Sequence, residues 1–525
     1  MFKKYLLSAL KKILRYNSYS LINIFGLAIG LASFILIVLY VYDEYSYDKY
    51  HSKSDRIYRI TSVLDFNGVG EESASQPFPM GPAFVEDYPQ YVETFVRFFN
   101  LQRSQFLVSN DNKVFNERRF FYCDTNVFEV FDFELIKGDR RTVLKKPFSI
   151  VITESTAQKY FEDLDPIGQI LKVDDYFEFE VSGVMKDVKQ QSHFHFDFLA
   201  SFSSLPYVFK NEKVMQAWIW NPCWTYLLLK EDTDPAKFEA DFKSFYKSHL
   251  KINEGENFQL FLQPLTDIHL TSHLDYEIEK NENIEYIRIL LIIAFLILLI
   301  ASINFINLAT AGAANRAKEI GMKKVVGATR RQLILQFITE STVTTFISLF
   351  VAISLVELFL PAFGAVTGKV VTTDFRFRKD TLIGLFSLGV FTGFISGLYP
   401  AMFLSSFKAV RLLKGNFKLG TKSTNFRKAL VLIQFSVSLM LIIGTFGVFR
   451  QLKYLHNADL GFKKNSTVII DAGNEVAWKY EKFKEALLKN KEIKNVTSMN
   501  YVIGSSHNTY EFIPEGSAAN EYQFY

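Results

Sequence analysis

Cysteine is almost missing from this chain of 525 residues: only Cys123 and Cys223 occur, which excludes a disulfide framework. Both fall in one long polar stretch, and their spacing suits a single bridge or two buried thiols equally well. A phosphate-binding G-x-x-x-x-G-K-[ST] loop is also missing. The nearest approach, GNFKLGTKS at 415–423, inserts Thr421 before Lys422 and follows an apolar run, not a buried strand, so it cannot form the strand–loop–helix cradle that holds phosphates. Metal chemistry is equally thin. His269 and His273 stand four apart, but the glutamate of H-E-x-x-H is missing and LTDIHLTSHL reads as strand and loop. His193 and His195 alternate with phenylalanine in HFHF, the pattern of one strand face and of a structural pair. No Ser-His-Asp or Cys-His grouping can be assembled, so no catalytic, metal or cofactor residues are expected in this chain.

What is present is apolar. Hydrophobic residues make up 49% of the sequence and 53 are Phe, too rich for an ordinary soluble protein and too poor for a pure membrane bundle. The length exceeds one domain, so membrane spans plus a large soluble part are expected. The net charge of +4 matters less than where the cations sit. Residues 1–20 carry Lys3, Lys4, Lys11, Lys12 and Arg15 without an acid, with Leu6, Leu7, Leu10, Ile13 and Leu14 at helical spacing. This predicts an amphipathic helix on the inner membrane face, an uncleaved anchor in preference to a signal peptide. Span 1 follows at 21–43, with Gly26 and Gly30 in a G-x-x-x-G that permits close helix packing.

Residues 44–286 hold no further span and read as an extracytoplasmic α+β domain. Its most regular part predicts a strand over 149–152, a helix capped by Thr153, a turn at Asp165-Pro166-Ile167-Gly168, and alternating strands over 170–173 and 177–184. Trp218, Trp220 and Trp224 gather near Cys223 and read as an aromatic core or surface wedge, with a substrate-contacting patch as the alternative. Span 2 is expected at 287–310, with Asn304 and Asn307 near its inner end. Spans 3, 4 and 5 are expected at 337–360, 381–404 and 429–449. An outer loop lies at 361–380, a cytosolic basic linker at 405–428, and the start of a second extracytoplasmic domain at 450–525, with a strand-like STVIID and a helix-like AWKYEKFKEALLKN.

Between spans 2 and 3, the turn at 311–336 holds Arg316, Lys318, Lys323, Lys324, Arg330 and Arg331 against one acid, Glu319. The linker at 405–428 holds seven cations and no acid. By the positive-inside rule both face the cytosol, the N-terminus is inside and the large domain is outside. The order of basic segment, span and outer stretch at 1–60 recurs at 422–471, so an internal repeat is expected whose second copy stops early, as in a fragment of a longer chain.

Several separate stretches share one resemblance. INFINLATAGAANRAKEIGMKKVVGATRRQLILQFITES is similar to the signature region of FtsX/MacB-type ABC transporter permeases. SIVITESTAQKYFEDLDPIGQIL with VSGVMKDV resembles their periplasmic core domain. GLYPAMFLSSFKAVRLLKGNFK resembles the end of their last span, and FRKALVLIQFSVSLMLIIGTFGVFRQL the start of a second half in long members. The resemblance implies a mechanotransmission permease of the bacterial inner membrane, with helical spans and a large α+β MacB-like periplasmic core. It implies a separate cytosolic ABC ATPase dimer, which carries the ATP, and for export a periplasmic adaptor and an outer-membrane channel. No nucleic-acid partner is expected. Arg316, Lys318, Glu319, Lys323, Lys324 and Arg330 become candidate ATPase contacts, with Gly321 and Gly327 letting the turn change direction. Two rivals stand beside this reading: a regulator of a cell-wall hydrolase, and a membrane-anchored receptor.

Overall fold

The computed structural model describes residues 17–66, 69–218, 220–249, 256–311, 317–369, 379–406, 421–458, 466–470, 476 and 479–499. The helix predicted at 1–20 and the basic linker at 405–428 lie largely outside them. Two compact units form: a helical unit from residues 1–45 and 284–465, and a sheet unit from residues 46–283 and 466–525. The helices used below are, in chain order, α1 (Asn17–Tyr45), α2 (Glu154–Phe161), α3 (Leu265–Thr271), α4 (Ile284–Ala311), α5 (Ala317–Val325), α6 (Arg330–Thr367), α7 (Lys379–Ser405), α8 (Thr421–Asn457) and α9 (Tyr480–Leu488).

Five of these, α1, α4, α6, α7 and α8, are long and apolar enough to cross a membrane. With 38 residues α6 is about 57 Å long at 1.5 Å per residue, well beyond a hydrocarbon core of about 30 Å. It runs through Pro361 to Thr367 and ends on Gly368 at φ +72°, so the first seven residues assigned to the outer loop are helical. Small residues set the packing. A Cβ on Gly30 would stand 2.4 Å from the Ala301 Cβ, so α1 and α4 meet at the G-x-x-x-G. Gly389, Gly393 and Gly397 lie one turn apart on α7 and admit Phe346, Thr342 and Ser341 of α6. At the end of α1, Lys369 pairs with Glu44 at 2.7 Å and with Asp43 at 3.5 Å.

The sheet unit is built on one mixed sheet of 13 strands: β1 (Ile57–Phe66), β2 (Val69–Ser73), β3 (Val92–Phe99), β4 (Phe106–Ser109), β5 (Val114–Glu117), β6 (Phe120–Cys123), β7 (Leu135–Lys137), β8 (Ser149–Thr153), β9 (Ile170–Val173), β10 (Phe177–Met185), β11 (Phe198–Ser201), β12 (Trp224–Leu229) and β13 (Glu256–Pro264). The order is β13-β1-β12-β3-β6-β11-β8-β10-β9-β4-β5, with β2 on β1 and β7 on β10. Pairs β8–β10 and β6–β11 are parallel and the other pairs antiparallel. Where the sequence alternates or ends cleanly, the expected elements form. Thr153 caps α2 by accepting from the Thr156 N–H, and Asp165 closes its turn by accepting from the Ile167 N–H at 3.2 Å.

Several readings are corrected. The tryptophans do not form one cluster. Trp224 is buried with Phe121 and Leu228 on one core. Trp220 meets Phe78 and Phe99 edge-on, and Trp218 stacks on His249 at 4.8 Å. Trp218 and Trp220 lie before β12 begins, and only Trp224 is in the strand. His193 and His195 are not in a strand, because the Asp48 and Glu279 carboxylates take their backbone N–H groups, the donors a ladder needs. LTDIHLTSHL contains α3, whose buried Leu265, Ile268 and His269 fall at helical spacing. Cys123 and Cys223 are separate buried thiols, and burial pushes the Cys223 thiol up to about 12. Residues 467–470 of STVIID pair with no strand among the described residues, leaving Val468 and Ile469 exposed.

Candidate functional site

Residues 312–316, Arg316 among them, lie outside the described residues, and beyond them α5 forms a short helix between α4 and α6. Ile320 of α5 is buried with Leu333 and Phe337 of α6 and with Ala401 and Leu404 of α7. That cluster fastens α5 to the ends of two spans. Gly327 makes the turn at φ +98°, with open space where a side chain would be. Thr329 then starts α6 with a full capping box: its hydroxyl accepts from the Gln332 N–H, and the Gln332 side chain accepts from the Thr329 N–H at 2.9 Å. Gly321 was expected to help the chain turn. It instead lies inside α5 and is buried, so its small size matters there, not its freedom.

The cations are less free than the sequence suggests. Lys323 Nζ bonds Glu319 at 2.8 Å, one turn away, and Gln336 at 3.3 Å. Gln336 in turn donates to the buried Glu340 at 2.8 Å. Lys324 Nζ donates to the Ser405 carbonyl at 2.7 Å, and Arg330 Nε reaches the Ser405 hydroxyl at 3.5 Å. Ser405 is the last residue of α7, so these cations sit where helix carbonyls are unpaired and the helix dipole is negative. Burial first, and the Arg330 charge second, hold Lys324 below the usual lysine range. Glu319, Arg330 and Arg331 remain exposed. Lys318 is on α5, but its side chain lies outside the described ones.

Sequence reasoning passed over the apolar side chains at the end of the same helix and in the turn after it. Met322, Val325 and Val326 are 61%, 65% and 85% exposed, at positions i, i+3 and i+4, which share one face. Ile320 faces the opposite way, into the protein. Met322 and Val325 on the nine-residue helix, with Val326 in the turn that directly follows it, give one apolar face more than the fold uses, and that surplus was readable in AKEIGMKKVV. Ser405 gave no signal at all. The arrangement can bind a partner groove through a small exposed apolar face, and it is packed against α6 and α7 through Ile320.

Comparison with known proteins bears on both units. Residues 20–245 match the family described as MacB-like periplasmic core domain, and residues 291–409 match the FtsX-like permease C-terminal family. The macrolide export ATP-binding/permease protein MacB of Bdellovibrio bacteriovorus is 29% identical over 122 residues, 23% of this chain and 18% of that one. The ABC transporter permease YvrN of Bacillus subtilis is 23% identical over 425 residues, 77% of this chain and 97% of that one. The pyoverdine export ATP-binding/permease protein PvdT of Pseudomonas syringae pv. tomato is 22% identical over 322 residues, 60% of this chain and 43% of that one. The chain thus spans under half the length of two of these relatives. A solved domain of a putative permease from Porphyromonas gingivalis is 20% identical with a TM-score of 0.36, covering 46% of this chain and 98% of that one. The periplasmic region of MacB from Actinobacillus actinomycetemcomitans gives 16% and 0.28, covering 38% and 87%.

Proposed function

The chain belongs to the ABC transporter permeases of the MacB/FtsX type, and on that premise we propose that it is the membrane subunit through which a separate cytosolic ATPase moves an extracytoplasmic domain, for export or extrusion. The observation that carries this reading is α5, with an exposed apolar face and with its other side bolted to the ends of two spans. A partner that closes on Met322, Val325 and Val326 displaces α5. Ile320 and the Lys324–Ser405 bond carry that displacement into α6 and α7. The expected topology places the N-terminus and α5 in the cytosol of a bacterial inner membrane, with the sheet unit outside. The names of MacB and PvdT support export as the output; a periplasmic adaptor and outer-membrane channel would complete such a route.

The test is co-purification with an ABC ATPase from the same cells. Met322→Glu with Val326→Glu is expected to abolish recovery, since two buried unpaired carboxylates oppose docking. Lys323→Glu is expected to lower recovery less, because Glu319 and Gln336 already hold that lysine. Full recovery with the double variant overturns the reading. Topology is checked on whole cells with an impermeant maleimide: Glu180→Cys reacts directly and Met322→Cys only after permeabilisation. The reverse pattern refutes the orientation. Met322 serves better than Ile320, which is 3% exposed.

A further inference from the structure

Two segments join the sheet unit to its flanking helices: residues 46–56 after α1, and residues 272–283 before α4. Both converge on α3. The Tyr47 ring lies flat on the His269 ring, with centroids 3.4 Å apart and planes 5° from parallel. The His269 carbonyl accepts the Glu282 N–H at 2.9 Å. Tyr47 and His269 are both buried.

Each segment is also anchored by itself. On the outgoing side, the Asp48 N–H donates to the Gln191 carbonyl at 2.9 Å. Its carboxylate lies 3.0 Å from His193 Nδ1, and His193 Nε2 reaches the Tyr226 hydroxyl at 2.7 Å. Tyr50 bonds Ser192 at 2.6 Å and Lys53 donates to the Glu129 carbonyl at 2.9 Å. On the returning side, Glu277 pairs with the fully buried Arg59 at 2.6 Å, the Trp224 indole donates to the Tyr276 carbonyl at 2.6 Å, and Glu279 meets His195 at 2.9 Å. His269 touches one segment with its ring and the other with its carbonyl.

We propose that His269 is a junction residue that binds the outgoing and returning segments of the sheet unit to each other, so that the two ends of that unit form one joined strap and not two separate tethers. Both rings are buried against each other, so separating them would expose apolar surface to water, and the carbonyl bond fixes the second segment to the same helical turn.

The test uses the full chain in lipid nanodiscs, spin-labelled at Asp55→Cys and Lys280→Cys, both exposed positions, with the label–label distance distribution read by pulsed electron paramagnetic resonance. The buried native thiols Cys123 and Cys223 report on the fold by refusing label. The wild-type background is expected to give one narrow distance. His269→Ala and Tyr47→Ala are each expected to lose it, with the native thiols still protected, and His269→Phe, which keeps a ring on Tyr47, to restore it. An unchanged distribution in His269→Ala overturns the proposal. So does labelling of the native thiols in that variant, which would make His269 a general core residue, and so does failure of His269→Phe to restore the narrow distance. No ATPase is present, so failure here leaves the coupling reading standing, and failure of ATPase capture leaves the junction standing.

Discussion

Replacing Gly30 by alanine tests whether α1 and α4 form a tight pair. The added Cβ would lie 2.4 Å from the Ala301 Cβ, against a preferred carbon–carbon separation of about 3.5–4.0 Å. The helices must part by more than about 1 Å or one must rotate, because the atom met is a short rigid side chain near backbone. Overpacking of this kind costs about 1–3 kcal/mol. Helix propensity works in the opposite sense, since alanine is better than glycine by about 1 kcal/mol inside a helix. A net loss of about 0–2 kcal/mol remains, against a gain of about 1 kcal/mol where only propensity acts. Gly444 of α8 supplies the control, having nothing within 4 Å of its would-be Cβ. Gly444→Ala feels only the propensity term and is expected to stabilise. The assay is thermal unfolding of the purified chain in lipid nanodiscs, with a double-mutant cycle adding Ala301→Gly. Removing the opposing methyl is expected to recover most of the loss as a coupling energy of about 1–3 kcal/mol, the size of the overpacking cost. If Gly30→Ala proves as stable as Gly444→Ala, or if the cycle shows no coupling, the close approach of α1 and α4 is refuted.

Two further outcomes are expected. Arg59 is fully buried and bonded to Glu277, Gln263 and Ser272, so Arg59→Ala strands the Glu277 carboxylate and is expected to cost about 3–5 kcal/mol by thermal unfolding; a loss under about 1 kcal/mol, the scale of an exposed pair, rules out the buried ion pair. Burial lowers His51 from 6.5 to about 4, so between those values the unfolded chain binds the extra proton and stability falls as pH falls. About 3 kcal/mol is present above pH ~6.5 and lost progressively toward pH ~4; a stability–pH curve whose acid limb is unchanged in His51→Gln contradicts this.

Much of the architecture was legible because it rests on local patterns. Five apolar runs gave five long helices, and Thr153 with the alternating stretches near 170–184 gave α2, β9 and β10. The candidate turn was legible as a place but not as a set of contacts. Charge marked Lys323 and Lys324 as outward-facing, yet the first is held by Glu319 and the second by the carbonyl of Ser405, about eighty residues away in sequence. Composition records that a lysine is present, not whether a helix end has arrived beside it. The same limit explains HFHF, where side chains of Asp48 and Glu279 from distant segments captured the donors that a strand would have used.

The order of spans and soluble stretches, and the side of the bilayer each is expected to face, follow from the sequence alone. Hydrophobic length and charge bias act on each segment independently of its neighbours. Tertiary structure decided which polar groups are spent and which surfaces are left over. It turned Gly30 into a contact, placed Tyr47 against His269, and left Met322, Val325 and Val326 uncovered. Those outcomes depend on residues brought together from far apart in the chain, and no single stretch carries the information about what it will meet.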